Sequence, residues 1–504
     1  MSAAGPTIQT TTMSEPTEGF HRELRLFDAT MIVIGSMIGS GIFIVTGDIA
    51  RTVGSGGWVL MVWAITGVMT LLGALSYGEL AGMMPKAGGQ YVFLREAYNP
   101  LIGFLYGWTL FAVIQTGTIA AVAVAFAKFT GILLPWFSEQ HILFGFAGHT
   151  FSAAQLLAIV MIVFLSSLNS RGLKEGKAVQ NTFTFTKTAA LVGLILLGIL
   201  VGRNAGAIQA NWTGFWEGTR TTVGQAGTFT REGVTGLAML AAIGVAMVGS
   251  LFSSDAWNNI TFTAGEVVEP RRTIPMSLAL GTLIVTVLYI LANIAYLLVL
   301  PLAGNPAAPD VVGRGIQFAT SDRVATAAVS TIFGQAAEVI MAVFIMVSTF
   351  GCNNGLILAG ARVYYAMAKD GLFFGRAGVL NTKAVPGFAL GIQAVWASLL
   401  CLSGTYGDLL DYVMFAVLLF YALTVAGIFI LRTTRPDAER PYKALGYPAL
   451  PALYIAAAVA FAVNLLVLKP GNTWPGLIIV LLGIPLYYLW GRKAGDRKTS
   501  LPLS

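Results

Sequence analysis

Apolar residues run along this chain in stretches of about twenty, separated by short polar segments that hold most of its charge. A helix needs about 20 predominantly apolar residues to cross the hydrocarbon core of a bilayer. Twelve runs reach that length, at roughly 29–51, 57–83, 100–130, 151–169, 178–201, 234–266, 276–300, 335–366, 385–403, 407–431, 447–468 and 473–490. The pattern predicts an all-α integral membrane protein with twelve transmembrane helices. Two runs are unsuited to continuous helix. The first contains Gly35-Ser36-Met37-Ile38-Gly39-Ser40-Gly41-Ile42-Phe43, and the sixth contains Gly249-Ser250-Leu251-Phe252-Ser253-Ser254-Asp255-Ala256-Trp257-Asn258-Asn259. Glycine and small polar residues weaken a helix, and a mid-span Asp is costly unless it meets water, a ligand or a partner. Unwound backbone is tolerated at membrane depth only where it lines a cavity or is buried in protein. Packing is the other reading of the glycines, since Gly35 and Gly39 also form a small-xxx-small pair.

These two runs are the first and sixth of twelve, so they are equivalent if runs 1–5 and 6–10 are repeats. Five spans per repeat would orient the halves oppositely, and paired interrupted helices point to the binding site of a secondary transporter. The expected organisation is an N-terminal tail (1–27), a first inverted repeat (28–203), an external loop (204–233), a second repeat (234–432), two further helices (433–491) and a C-terminal tail (492–504).

Composition agrees with a polytopic membrane protein. Of 504 residues, 56% are hydrophobic and 11% charged, less than half the ~25% charge of a soluble domain. The net charge of +7 follows from topology: with both termini inside, 21 Lys and Arg fall in internal segments and 8 in external ones. A nucleic-acid partner is therefore not invoked. Residues 1–20 are polar, with no signal-peptide core, and read as a disordered tail. Cys352 and Cys401 both lie within apolar runs, so no disulfide framework, zinc site or other cofactor is implied. The three histidines lie in the tail or an external loop; there is no His-Glu-x-x-His, Gly-x-Ser-x-Gly or Walker loop. Enzyme and ATPase readings are unsupported, and no repeated filter-like pattern supports a channel.

Unwinding frees N–H groups at the start of one half-helix and carbonyls at the end of another. The former suit a carboxylate and the latter an ammonium, and an α-amino acid carries both, although sugars or ions could also use such a gap. On this reading Ser40, Gly41 and Ile42 offer N–H groups, and the carbonyls of Met37, Phe252 and Asp255 face the ammonium.

The run Ile38-Gly39-Ser40-Gly41-Ile42-Phe43 resembles the first-helix motif of the amino acid–polyamine–organocation superfamily. Further resemblances follow in family order over about 400 residues: Ser76-Tyr77-Gly78-Glu79-Leu80 with Pro85 to Tyr91, Gly265 to Pro275, Ser348 to Gly355 with Arg362, and Arg435 to Lys443. The last two, with Phe252, Trp257 and Asn258, resemble the L-type amino acid transporter branch and its bacterial relatives. The resemblance implies a five-plus-five inverted repeat with two extra helices, alternating access and a central site between helices 1 and 6. It assigns Ser40 and Gly41 to the substrate carboxylate and Phe252 to a gate, and places Asn258, Cys352 and Asn354 at or near a side-chain pocket. Gln115 and Trp257 are further candidates for that pocket. The implied function is secondary active transport of neutral L-amino acids by sodium-independent exchange in the plasma membrane, expected to be a bacterial inner membrane.

Lys187 lies in Phe183-Thr184-Phe185-Thr186-Lys187-Thr188, about 12 Å into the fifth run at 1.5 Å per residue. Snorkelling to the interface is the structural alternative. The resemblance instead implies that its ammonium replaces a bound sodium and touches the helix 1 carbonyls. Proton-coupled symport, with Lys187 as proton carrier, is the alternative mechanism. Asp255 reads as a half-helix cap, a partner of Lys187 or a contact for the ligand's ammonium. Glu79 and Arg362 read as gate or loop anchors, and Asp408 and Asp411 as helix-start residues. The segment 131–150 lacks the cysteine by which animal relatives of the branch bond a glycoprotein partner, so no disulfide-linked heavy chain is expected. Asn211-Trp212-Thr213 matches a glycosylation sequon by its three residues alone, and 203–233 is a candidate partial lid.

Overall fold

The computed structural model of the chain describes residues 19–146, 149–224, 228–402 and 406–499. The first predicted span is broken into α1 (Leu26–Met37), a 3-10 turn (Gly41–Phe43) and α2 (Thr46–Val53). Then come α3 (Gly56–Met83), α4 (Gln90–Ala97), and α5 (Pro100–Thr109), which joins α6 (Gln115–Leu133) through a π-helical turn at Leu110–Ile114. A hairpin of β1 (Ile142–Phe146) and β2 (His149–Ser152) leads to α7 (Ala153–Ser170) and α8 (Leu173–Leu200). The segment 203–233 holds α9 (Ala205–Trp212) and a second antiparallel hairpin, β3 (Thr219–Val223) with β4 (Phe229–Gly233).

The sixth span is broken in turn, into α10 (Gly236–Ser253) and α11 (Asn259–Phe262). It is followed by α12 (Pro270–Val299), α13 (Val311–Arg314), α14 (Val324–Phe333), α15 (Ala336–Lys369) and α16 (Gly387–Leu400). The chain ends with α17 (Tyr406–Thr434), α18 (Ala449–Leu468) and α19 (Pro470–Thr499).

Among the described residues ten helices, rather than the twelve predicted, are long and apolar enough to cross a membrane. The other two runs fall short for different reasons. The first is interrupted after the 12 residues of α1. The ninth is the 14-residue α16, about 21 Å long at 1.5 Å per residue against a ~30 Å core. The segments between α6 and α7 and between α8 and α10 also contain strands that the apolar pattern did not predict.

α3 packs along α12 and α6 along α15, while α1 lies against α12, α8 and α15. The continuous span from α5 through α6 (Pro100–Leu133) is the most enclosed, with 89% of its apolar window buried, against 22% for the window in α19. Side chains such as Phe185, Leu196, Leu237, Leu240 and Val395 stand exposed on the outer helices. A soluble monomer rarely shows so much apolar surface, and a bilayer covers it. The protein is a multi-pass membrane protein.

The two faces differ. On the face where α1 begins, here the N side, Glu23 and Leu24 donate their backbone N–H groups to the Glu266 carbonyl at 2.9 Å each. Val268 returns a bond to the Leu24 carbonyl at 2.9 Å, and Phe20 packs edge-on against Tyr365. The described part of the predicted N-terminal tail is thus docked, and residues 1–18 lie outside the described region. α19 extends through most of the predicted C-terminal tail. On the opposite face, Asn211 is buried: its Nδ2 donates to the Leu297 and Leu300 carbonyls at 2.7 and 2.8 Å, and its Oδ1 accepts from Leu302 N at 2.6 Å. That amide ties α9 to the end of α12 and leaves no room for a glycan.

Candidate functional site

The break in the first span begins at Ile38, whose backbone is extended (φ −76°, ψ 96°), and ends where Gly41 starts the 3-10 turn. Breaking a helix frees carbonyls, and each buried one needs a donor. Lys187 of α8 donates to the Gly35 and Ile38 carbonyls at 2.6 Å each and to the Ser348 carbonyl of α15 at 3.3 Å. The Cys352 thiol reaches the Ser36 carbonyl at 3.1 Å, the Tyr289 hydroxyl the Met37 carbonyl at 3.1 Å, and the Ser348 hydroxyl the Gly39 carbonyl at 2.9 Å. Five successive carbonyls are thereby met by side chains from three other helices. Lys187 is fully buried, with all three protons directed at carbonyls, so it does not snorkel.

The break in the sixth span has its own geometry. After Ser253 the chain passes through Ser254 and into a left-handed Ala256 (φ 65°) before α11 begins at Asn259. Tyr289 Oη lies 3.0 Å from the Ser253 carbonyl as well as 3.1 Å from that of Met37, so one hydroxyl sits between the ends of α1 and α10. The two breaks also meet directly: a Cβ placed on Gly41 would collide with the Ser253 side chain. Glycine is required there by close approach of the two chains. The first N–H groups of the 3-10 turn have no partner within the turn itself, and they stand beside this contact.

Two chambers beside the breaks are small, each with a cavity volume of about 20 Å³. One is lined by Met37, Ser40, Gly41, Phe252 and Cys352, with Thr118 and Val122 of α6 opposite. The second lies toward the N side and is lined by Gln90, Tyr106, Gln115, Asn258, Asn259 and Tyr421, among others. Thr118, Asp255 and Ala256 border both, so the chambers are neighbours across the turn at Ala256. The Asp255 carboxylate accepts from the Tyr421 hydroxyl at 2.6 Å, and Asn258 Nδ2 donates to Gln90 Oε1 at 2.8 Å.

The structure therefore brings Met37, Ser40, Gly41, Phe252, Asp255 and Cys352 around one chamber and Gln115, Asp255 and Asn258 around the next. Ile42 is buried, and its carbonyl is 3.4 Å from Tyr296 Oη. Trp257 borders neither of these two chambers; packed against Tyr77 and Tyr421, it lines a further small cavity with Ser254 and Asp255. Asn354 borders neither chamber; it bonds Asn169, the Gly176 carbonyl and Gln180, and so ties α15 to α7 and α8. Asp255 makes its bond to Tyr421 rather than to Lys187. Asp408 and Asp411 have no described side chains.

Thr118, Tyr106, Tyr289 and Tyr421 escaped the sequence reading, and Ser348 and Asn259 stood in its quoted runs without an assigned role. Thr118 carried a faint signal, three residues after Gln115 on the same helix face. The π-helical turn just before Gln115 re-aims that face, and nothing in the apolar run marks it.

The N side is closed by ion pairs. Arg362 holds Glu266 through two contacts of 3.2 and 2.7 Å, both side chains buried. Glu79 accepts from Arg432 at 2.9 and 2.7 Å and from the Ala444 N–H at 2.7 Å, with Arg440 at 3.4 Å. Arg95 pairs with Asp370, and Arg435 with Glu96 at 2.7 Å. The Arg435 bond holds the Glu96 carboxyl below the usual carboxylate range, partial burial opposing it. The opposite face opens instead into a vestibule of about 530 Å³ bordered by Ile44, Lys128, Glu139, Asp322 and Arg323.

A family model described as amino acid permease matches residues 24–487. The mouse b(0,+)-type amino acid transporter 1 is 28% identical over 485 residues, covering 94% of this chain and 89% of its own length. A serine/threonine exchanger of Bacillus subtilis (strain 168) is 28% identical, covering 93% of this chain and 97% of its own. Large neutral amino acids transporter small subunit 2 from mouse is 29% identical over 94% of this chain and 82% of its own.

Proposed function

Because this chain belongs to the amino acid permease family of the amino acid–polyamine–organocation superfamily, we propose that it exchanges neutral L-amino acids across the plasma membrane by alternating access, without sodium. It is a transporter rather than an enzyme. The observation that carries the sodium-independent reading is the Lys187 ammonium among the carbonyls of Gly35, Ile38 and Ser348. A carbonyl cluster of this kind is what a bound cation would use, and a fixed ammonium satisfies it with no ion from solution.

In this reading the substrate carboxylate meets the N–H groups of Ser40, Gly41 and Ile42. The substrate ammonium meets Asp255 and the carbonyls of Met37 and Phe252; the Met37 carbonyl keeps a second lone pair beside Tyr289. Phe252 is the gate at the first chamber, and the substrate side chain extends toward Gln115, Asn258 and Cys352. The closed N side and open opposite vestibule describe one end of the transport cycle. Twelve spans, counting the interrupted first and the short ninth, in a five-plus-five inverted repeat complete the picture, with both termini cytoplasmic in a bacterial inner membrane. Cys352 and Cys401 are buried free thiols, which supports a transporter without a disulfide-linked heavy chain.

The test is uptake of labelled alanine into sodium-free proteoliposomes, with and without unlabelled amino acid inside. Exchange requires internal amino acid and ignores a proton gradient. Accumulation into empty vesicles that collapses with the gradient would establish proton symport and make Lys187 the proton carrier.

A further inference from the structure

The second chamber carries information about the substrate's side chain. Its wall includes two polar groups that the protein leaves unanswered. Tyr106 and Asn259 border the chamber, and neither the buried Tyr106 hydroxyl nor the buried Asn259 Nδ2 donates to an acceptor among the described residues. The nitrogen of Asn258 that stands beside the phenol is itself a donor, so the phenol proton still lacks an acceptor. Neighbouring amides are committed elsewhere: Gln115 Nε2 donates to the Leu356 carbonyl at 2.7 Å, and Gln90 Nε2 to Thr424 Oγ1 at 3.0 Å. Buried polar groups are almost always paired, and an orphan facing a binding chamber calls for a partner from the ligand.

Resting on the amino acid reading above, we propose that the second chamber receives the side chain of a neutral polar amino acid, one bearing an amide or hydroxyl oxygen that accepts from Asn259 and Tyr106. The unanswered groups are donors, which disfavours the ammonium or guanidinium of a basic side chain. Asp255, the acidic group on the wall among the described residues, already accepts from Tyr421. No basic residue borders the chamber, so a carboxylate side chain finds no counter-charge. An aliphatic side chain in the same place seals both donors away from any acceptor. A site built to hydrogen-bond its substrate rejects the analogue lacking that group far more strongly than an apolar pocket rejects one methylene.

The experiment compares near-isosteric pairs in proteoliposomes of the full-length protein: threonine against valine, and asparagine against leucine, with alanine as reference. Wild type is expected to favour threonine and asparagine by about tenfold or more in kcat/KM. In Tyr106→Phe and Asn259→Leu the ratio within each pair should fall toward one, because the apolar partner no longer strands a donor. Equal or higher kcat/KM for valine and leucine in wild type overturns the proposal, and this comparison needs no variant. Preference for lysine or arginine over asparagine overturns it as well. Uptake of alanine alongside such a result leaves the transporter reading standing; absence of uptake for every amino acid removes both.

Discussion

Replacing Lys187 by Met tests the cation-substitute reading most directly. Methionine keeps an unbranched stem of similar length, so packing changes little, while the ammonium and its three bonds disappear. Charge-assisted hydrogen bonds contribute about 1.5–3 kcal/mol each. Bonds between membrane helices tend toward the low end because the separated helices find other partners. Taking about 1.5 kcal/mol for each of the two 2.6 Å bonds and nothing for the one at 3.3 Å gives about 3 kcal/mol. That is a factor of about 150 in the population of the correctly broken first helix. Ile38 keeps one weaker donor, the Ser348 hydroxyl at 3.3 Å, while Gly35 loses its only side-chain donor. Counterflow of alanine in sodium-free proteoliposomes should therefore fall about a hundredfold in kcat/KM, and to a similar degree at every pH from about 6 to 9. A variant that inserts normally and exchanges within about threefold of wild type would refute the reasoning. A loss confined to one side of a titration step would instead mark Lys187 as a proton carrier.

Other expectations follow from single contacts. Gly41→Ala places a Cβ against Ser253; alanine exchange should drop at least about tenfold, and adding Ser253→Gly should recover part of it, whereas full activity in the single variant would mean the breaks do not touch. Glu266→Gln strands the buried Arg362 guanidinium and should cost about 3–5 kcal/mol, read as a lower melting temperature in detergent; the double replacement Glu266→Gln with Arg362→Met should be milder, and equal loss would argue against pairing as the cause. Asn211→Ala removes three hydrogen bonds at the α9–α12 junction and should lower thermal stability, while the wild type made in a glycosylating host should show no mass shift at Asn211. Glu96 has a depressed carboxyl pKa in the folded state, so its pairing stabilises above the unfolded value of about 4.3 and is lost as pH falls through the lower folded value. The group is only partly buried and its partner Arg435 is exposed, so Glu96→Gln should alter stability by under about 1 kcal/mol near neutrality; a larger loss would mean the N-side pairs act as a cooperative network.

Length and periodicity of apolar runs determined that this chain lives in a membrane, because a bilayer permits few alternatives to a closed helix of about 20 residues. Local composition also located both helix breaks, since Gly39-Ser40-Gly41 and Ser253-Ser254-Asp255 are poor helix formers wherever they lie. The cysteine and histidine placements, likewise local, removed disulfide and zinc chemistry. Tertiary structure decided what fills the space between the breaks. Tyr289, Thr118 and Ser348 sit in apolar runs whose own pattern gives no reason to choose one polar residue over another; each matters through a carbonyl or chamber wall hundreds of positions away. Asn354 and Trp257 carry the same lesson in reverse, lying in recognisable motifs yet pointing to α7 and α8 in one case and into the Tyr77 and Tyr421 rings in the other. The direction a side chain points is set by helix rotation and by turns such as the one at Leu110–Ile114, and those are fixed by packing with distant partners. The same holds for Lys187: its sequence position gave depth along the helix, and only the assembled helices directed its charge inward to three carbonyls rather than out along the stem to water.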